Sequence, residues 1–148
     1  MEKIELKIEQ MQHCKELPKY QTEGSAGMDL RAAIDKPIKL GSLERALIPT
    51  GLKIELPHGY EAQIRPRSGM AIKHGISMIN TPGTIDEDYR GEVKIAVVNL
   101  SKDEYTIEPD ERIAQMVISK VEHPTIIPVI SVSQTERGAG GFGSTGKN

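Results

Sequence analysis

Apolar and polar residues alternate with a period of two through much of this chain. Ile4, Leu6 and Ile8 alternate with charges over residues 2–9, and Tyr60, Ala62 and Ile64 alternate with Glu61, Gln63 and Arg65. Val93, Ile95 and Val97 follow the same rule. This spacing puts one set of side chains on one face of an extended chain and predicts half-buried strands. Shorter apolar pieces lie at 38–40, 45–48 and 52–56, cut by Pro37, Gly41, Pro49, Gly51 and Pro57. Tyr105 with Ile107, the apolar run 112–118 and the run 126–132 supply further strands, with Pro128 marking an edge or a bulge. Breakers that recur about every eight to ten residues predict an all-β sandwich or barrel. One segment departs from the pattern. Pro66 ends a strand, Ser68 is a good N-cap, and residues 70–73 predict a single helical turn.

Composition narrows the picture. The 148 residues form one domain, large enough to bury a core. With four Tyr, one Phe and no Trp, that core must come from Ile, Leu, Val and Met. The sole phenylalanine, Phe142, sits among glycines near the C-terminus, an odd place for a core residue. A net charge of −2 gives no general pull toward nucleic acid or an anionic membrane. No apolar run approaches the roughly 18 residues that span a bilayer, and the charged first twenty residues hold no signal-peptide core. Cys14 is the only cysteine, so no internal disulfide forms, which fits a reducing cytosol. The four histidines lack metal-ligand spacing. Any metal is therefore expected to be a hard cation held by oxygen ligands or by a substrate's phosphates.

Candidate chemistry concentrates at residues 80–92. Pro82-Gly83 and Arg90-Gly91 are turn signals, and between them lie Asp86, Glu87, Asp88 and Tyr89. A hairpin loop here would hold Asp86, Asp88 and Tyr89 at a cleft mouth. Ile85 and Tyr89 flank the acids, so one carboxylate can be desolvated into a useful base; otherwise the segment is a solvated acidic turn. Asn80 adds a donor and an acceptor suited to a base edge. Arg65 and Arg67 beside the turn at Ser68 suit an anion such as phosphate. Gln115, inside a largely apolar strand, needs a partner if buried. Asp29 lies in the small-residue stretch 26–33. In the tail, Arg137, Phe142, Ser144 and Thr145 supply a cation, a stacking face and two hydroxyls among glycines, as a flap over a nucleotide triphosphate would need. The same glycines match bare dinucleotide and near-P-loop patterns, but no helical pattern follows to place an N-terminus on a phosphate.

Five blocks, in order, resemble the five motifs of the trimeric dUTP diphosphatases (dUTPases). They are residues 26–33 (Ala-Gly-Met-Asp-Leu-Arg-Ala-Ala), 65–71 (Arg-Pro-Arg-Ser-Gly-Met-Ala), 80–92, 112–117 (Arg-Ile-Ala-Gln-Met-Val) and 137–146. Met70 stands where leucine is more usual, a near-isosteric exchange. The resemblance implies a jelly-roll-like fold, residues 1–136, with a flexible flap, residues 137–148, that completes the active site. It implies a homotrimer with sites shared between subunits, and hydrolysis of dUTP to dUMP and diphosphate with Mg2+ carried by the substrate's phosphates. By resemblance Asp86 is the general base, and Asp29 holds a water of the Mg2+ shell. Arg67, Ser68, Gly69 and Gln115 bind phosphate. Asn80, with the backbone near Thr84, Ile85 and Lys94, reads uracil, and Tyr89 lies under the deoxyribose. Phe142 covers the uracil, while Arg137, Gly143, Ser144 and Thr145 grip the distal phosphates. The expected setting is the cytoplasm, with no direct nucleic-acid or membrane binding.

Three other readings stay open at this point. A dCTP deaminase shares the fold class and needs a glutamate base in its pocket. A non-catalytic β-sandwich could bind without reacting. A dUTPase could also carry a regulatory role through protein partners.

Overall fold

The computed structural model describes residues 3–147. In chain order the elements are β1 (Lys7–Gln10), β2 (Met28–Arg31), β3 (Ile38–Leu40), β4 (Arg45–Glu55), β5 (Tyr60–Arg65), α1 (Ser68–His74), β6 (Ile76–Met78), β7 (Gly83–Ile85), β8 (Glu92–Asn99), β9 (Tyr105–Ile107) and β10 (Arg112–Lys120). They pair antiparallel into two four-stranded sheets, ordered β1-β4-β8-β6 and β2-β10-β5-β7, and a two-stranded sheet of β3 and β9. The expected all-β architecture is what the chain adopts.

The alternation works as read. Ala62 and Ile64 on β5 and Val93, Ile95 and Val97 on β8 are buried, and the residues between them are less so. The buried apolar side chains are all Ile, Leu, Val, Met or Ala, while Phe142 is fully exposed. Each branched side chain withdraws apolar area from water, the main favourable term in folding. Among the described residues no buried side-chain polar atom lacks a hydrogen-bond partner.

Several local expectations give way to pairing. Pro49 and Gly51 do not cut the chain; residues 45–48 and 52–56 lie largely on one eleven-residue strand, β4. Pro49 stands opposite Lys94 and Lys53 opposite Glu92, so Thr50, Gly51 and Leu52 bulge against Val93. Gly51 takes φ 70° there, with Cys14 packed so closely that a Cβ would collide with it. The first strand is shorter than expected and starts at Lys7; Glu2 lies outside the described residues. The helix takes in 70–73 but begins at Ser68, with Arg67 in the extended N-cap position and no side-chain cap. Ser68 is thus the first helical residue, not the cap. Residues 126–132 form no strand, and Ile126, Ile127, Val129, Ile130 and Val132 are all exposed. Their β-branched pattern is strand-like, but no edge of their own chain receives them.

Candidate active site

One corner of the site is assembled by β10. Gln115 faces Asp29 of β2 on one side and Arg65 of β5 on the other. Pro66, which has no N–H to donate, ends β5 and turns the chain into α1. Arg67 is thereby carried back over the strand ends. Its Nε lies 3.3 Å from Asp29 Oδ1, and Arg112 Nη1 lies 3.2 Å from Asp29 Oδ2. Arg67 Nη1 also donates to the Arg112 carbonyl at 3.1 Å, and Gln115 Nε2 donates to the Pro66 carbonyl at 3.1 Å. Gly27 makes room for this amide, because a Cβ there would sit 2.7 Å from Gln115 Oε1. Two guanidinium groups against one carboxylate leave the corner cationic. The exposed Ser68 and Gly69 beside it precede the first helical hydrogen bond, Ala71 N–H to Arg67 C=O, so their N–H groups have no partner within the helix.

A second feature is a cleft of about 320 Å³ where the two large sheets diverge. Asn80, Thr84, Ile85, Asp86, Tyr89 and Lys94 line it. The acidic segment is not the hairpin expected. β7 pairs with β5, placing Gly83 opposite Ile64, whereas β8 pairs with β4 and β6 in the other sheet. Residues 86–91 therefore cross between sheets, and the cleft is the gap they bridge. Asn80 packs against Gly83, where an added Cβ would come within 3.1 Å of its amide nitrogen. Tyr89 N–H donates to the Asp86 carbonyl at 3.1 Å, and its phenol donates to the Glu92 carbonyl at 2.9 Å. The ring lies across Gly91, where any side chain would overlap it. Its orientation is fixed while 46% of it stays exposed.

Asp86 is exposed, and among the described residues its carboxylate accepts no hydrogen bond. Ile85 does not desolvate it as expected. Ile85 turns into the core and is buried, and the next residue on an extended chain faces the other way.

Residues 137–147 of the tail reach neither feature. Arg137 Nε donates to the Gly140 carbonyl at 2.7 Å, and Ser144 N–H donates to the Gly141 carbonyl at 3.0 Å. Gly143 and Thr145 are exposed, and Phe142 projects into solvent. Among the described residues no tail residue lines the cleft, and neither do Asp29, Arg67, Arg112 or Gln115. The structure thus groups the site residues into three separate sets.

Three residues carry more than the sequence reading assigned them. Arg112 is the second cation on Asp29, signalled only by a charge at the head of an apolar strand. Glu92 lines the cleft, yet its Oε2 takes His13 Nε2 at 2.6 Å and Gly51 N–H at 2.9 Å. Burial opposes the charge on Glu92, and these two bonds outweigh it, holding the carboxyl below its ordinary value. Glu87, between the two aspartates, accepts Gly59 N–H at 2.6 Å and pairs with His58 Nδ1 at 2.8 Å.

Among the described residues no three His, Cys, Asp or Glu side chains gather to hold a metal ion, and no helix is long and apolar enough to cross a membrane. Asp29 is a single carboxylate engaged by two arginines. That donor set fits a cation delivered on phosphate oxygens and touched through a water, not one caged by protein.

A cationic corner and a polar-edged cleft on one β scaffold suit a ligand with anionic groups and a flat polar part. A family model described as dUTPase matches residues 14–146. The deoxyuridine 5'-triphosphate nucleotidohydrolase of Fusobacterium nucleatum is 60% identical over 147 residues, covering 99% of this chain and 100% of that protein. That of Cytophaga hutchinsonii is 60% identical over 131 residues, covering 88% of this chain and 85% of its own. Among solved structures, the Staphylococcus bacteriophage 80alpha dUTPase with dUPNHPP superposes with TM-score 0.88 at 27% identity, covering 97% of this chain and 99% of that one. The chain belongs to the dUTPase family. It is an enzyme, and its activity is the hydrolysis of dUTP.

Proposed function

We propose that the three sets of residues come together from different copies of the chain in a homotrimer, and that dUTP is cleaved there to dUMP and diphosphate. The observation that carries this is their separation. Among the described residues the cleft holds Asp86 but neither Arg67 nor Arg112, the arginine corner holds no unengaged carboxylate, and the tail touches neither. The exposed apolar run 126–132 leads away from its own core, in keeping with a segment covered by another copy.

In this reading uracil enters the cleft against Asn80 and the backbone of Thr84, Ile85 and Lys94, where a 5-methyl group would find no room. Tyr89, held flat by its bond to the Glu92 carbonyl, lies under the sugar and leaves no space for a 2′-hydroxyl. Arg67, Ser68, Gly69 and Gln115 bind the phosphates. Asp86 accepts a proton from water as its oxygen bonds to the α-phosphorus, and the bond from that phosphorus to the bridging oxygen breaks, releasing diphosphate. Residues 137–148 form the flap on a β domain of residues 1–136. Phe142 closes over the base, while Arg137, Gly143, Ser144 and Thr145 take the distal phosphates and close the site to bulk solvent. Mg2+ on the phosphates would offset their charge as it builds up, with Asp29 holding one of its waters. Such an enzyme, working in the cytoplasm, limits uracil incorporation into DNA and supplies dUMP for thymidylate synthesis.

A deaminase needs a free glutamate in the pocket, whereas the cleft's Glu92 is committed to His13 and Gly51. The test is diphosphate release from dUTP, dCTP, dTTP and UTP, with and without Mg2+. dUTP with Mg2+ is expected to be much the best substrate. Comparable rates on all four would overturn the roles given to the cleft and Tyr89.

A further inference from the structure

The turn that carries Asp86 has few ties to the rest of the molecule. Among the described residues Asp86 and Asp88 make no side-chain hydrogen bonds, and those of Tyr89 and Arg90 stay within residues 87–92. Arg90 reaches Glu55 only at 3.9 Å, between two well-exposed side chains, a contact of little energetic weight. Glu87 is different. Its Oε2 accepts Gly59 N–H at 2.6 Å and its Oε1 meets His58 Nδ1 at 2.8 Å, so one carboxylate spans the β4–β5 turn. Its own carbonyl accepts Arg90 Nη1 at 2.6 Å, which closes the acidic turn on itself.

We infer that Glu87 is a positioning residue for the hydrolysis: its carboxylate clamps the Asp86 turn onto the β4–β5 turn and so sets where the Asp86 oxygens stand. This rests on Asp86 being the general base. Two features make Glu87 the clamp. It is the residue next to Asp86, so displacement of its backbone is passed on directly. Its main partner is a backbone N–H on the turn between β4 and β5, held by the strands on either side, whereas His58 is almost wholly exposed and adds little. The Gly59 bond is also the first cause of the lowered Glu87 carboxyl pKa, ahead of His58. A misplacement of about 1 Å in a reacting group can cost on the order of a hundredfold in rate.

The bond needs an acceptor at the right reach, which a neutral amide oxygen also supplies, though less strongly than a carboxylate. Glu87→Gln keeps that acceptor, Glu87→Ala removes it, and Glu87→Asp keeps the charge but shortens the arm. With dUTP and Mg2+, Glu87→Ala and Glu87→Asp are expected to lose about ten- to a hundredfold in kcat with KM within about twofold. Glu87→Gln should stay close to the parent, and all three should melt near it because Glu87 lies at the surface. Parent-like kcat in Glu87→Ala would overturn the inference. So would equal losses in Glu87→Gln and Glu87→Ala, which would show that charge matters and not the clamp. Asp86→Asn, measured alongside, keeps the two readings apart: parent-like activity there removes the base assignment itself, whatever the Glu87 variants do.

Discussion

Arg112 Nη1 stands 3.2 Å from Asp29 Oδ2, across 83 residues of sequence, and the Arg112 carbonyl takes a second hydrogen bond from Arg67. One residue thus neutralises the carboxylate with its side chain and orients the neighbouring guanidinium with its backbone. Arg112→Ala leaves the backbone bond in place and removes half of the charge around Asp29. With Arg112 partly exposed, the expected loss is about 1–2 kcal/mol of stability, read by urea denaturation. A larger effect is expected on KM for dUTP, because the corner loses one of the two cations on Asp29. A parent-like KM would show that Arg112 serves the fold alone.

Phe142 contributes nothing to the packed core, being fully exposed. A ring stacked on a base is worth about 1–3 kcal/mol. Phe142→Ala should therefore weaken nucleotide binding by roughly that amount, measured by calorimetry with a dUTP analogue, and leave the ligand-free Tm unchanged. A fall in that Tm would place the ring in the fold instead.

Glu92 provides a pH test with a defined sign. Its carboxyl is held below the ordinary value of 4.5, so the unfolded chain takes up a proton there before the folded one does. The stability it contributes is present above about pH 4.5 and fades as pH falls through the lower folded value. Glu92→Gln should lower Tm at neutral pH and give a shallower acid limb below pH 4.5, so the two melting curves converge. Parallel curves down to acid would mean that the His13 and Gly51 bonds do not favour the charged form.

Shared sites can be tested by mixing. Take Asp86→Asn with its tail intact, and a chain stopped before Arg137 with Asp86 intact, each first shown to assemble alone. If base and tail come from different copies, co-folding equal amounts should restore about a quarter of parent activity, one half for an intact base times one half for an intact tail. A tail serving the site of its own chain predicts no recovery, since no chain carries both parts.

What the sequence settles by itself is local. The alternation at 60–64 and 93–97 marks strands because side chains on an extended chain point to opposite faces, a property of neighbouring residues alone. The candidate residues of the cleft and of the tail were legible for a related reason: each of those sets is nearly contiguous, whereas the corner's Asp29, Arg67 and Gln115 lie in three separate blocks. Pairing is where that reading fails. Pro49 and Gly51 look like breaks, yet β8 runs unbroken alongside and holds them in one bulged strand. Residues 126–132 look like a strand, but a strand needs an edge to bond to, and in the folded chain they pair with none. The acidic segment reads as a hairpin until β7 is found on β5 and β8 in the other sheet. Only the folded chain could bring Arg112 to Asp29, or Gly59 to Glu87, because hydrogen bonds and ion pairs act over a few ångströms and closing the chain between such residues is the work of the whole core.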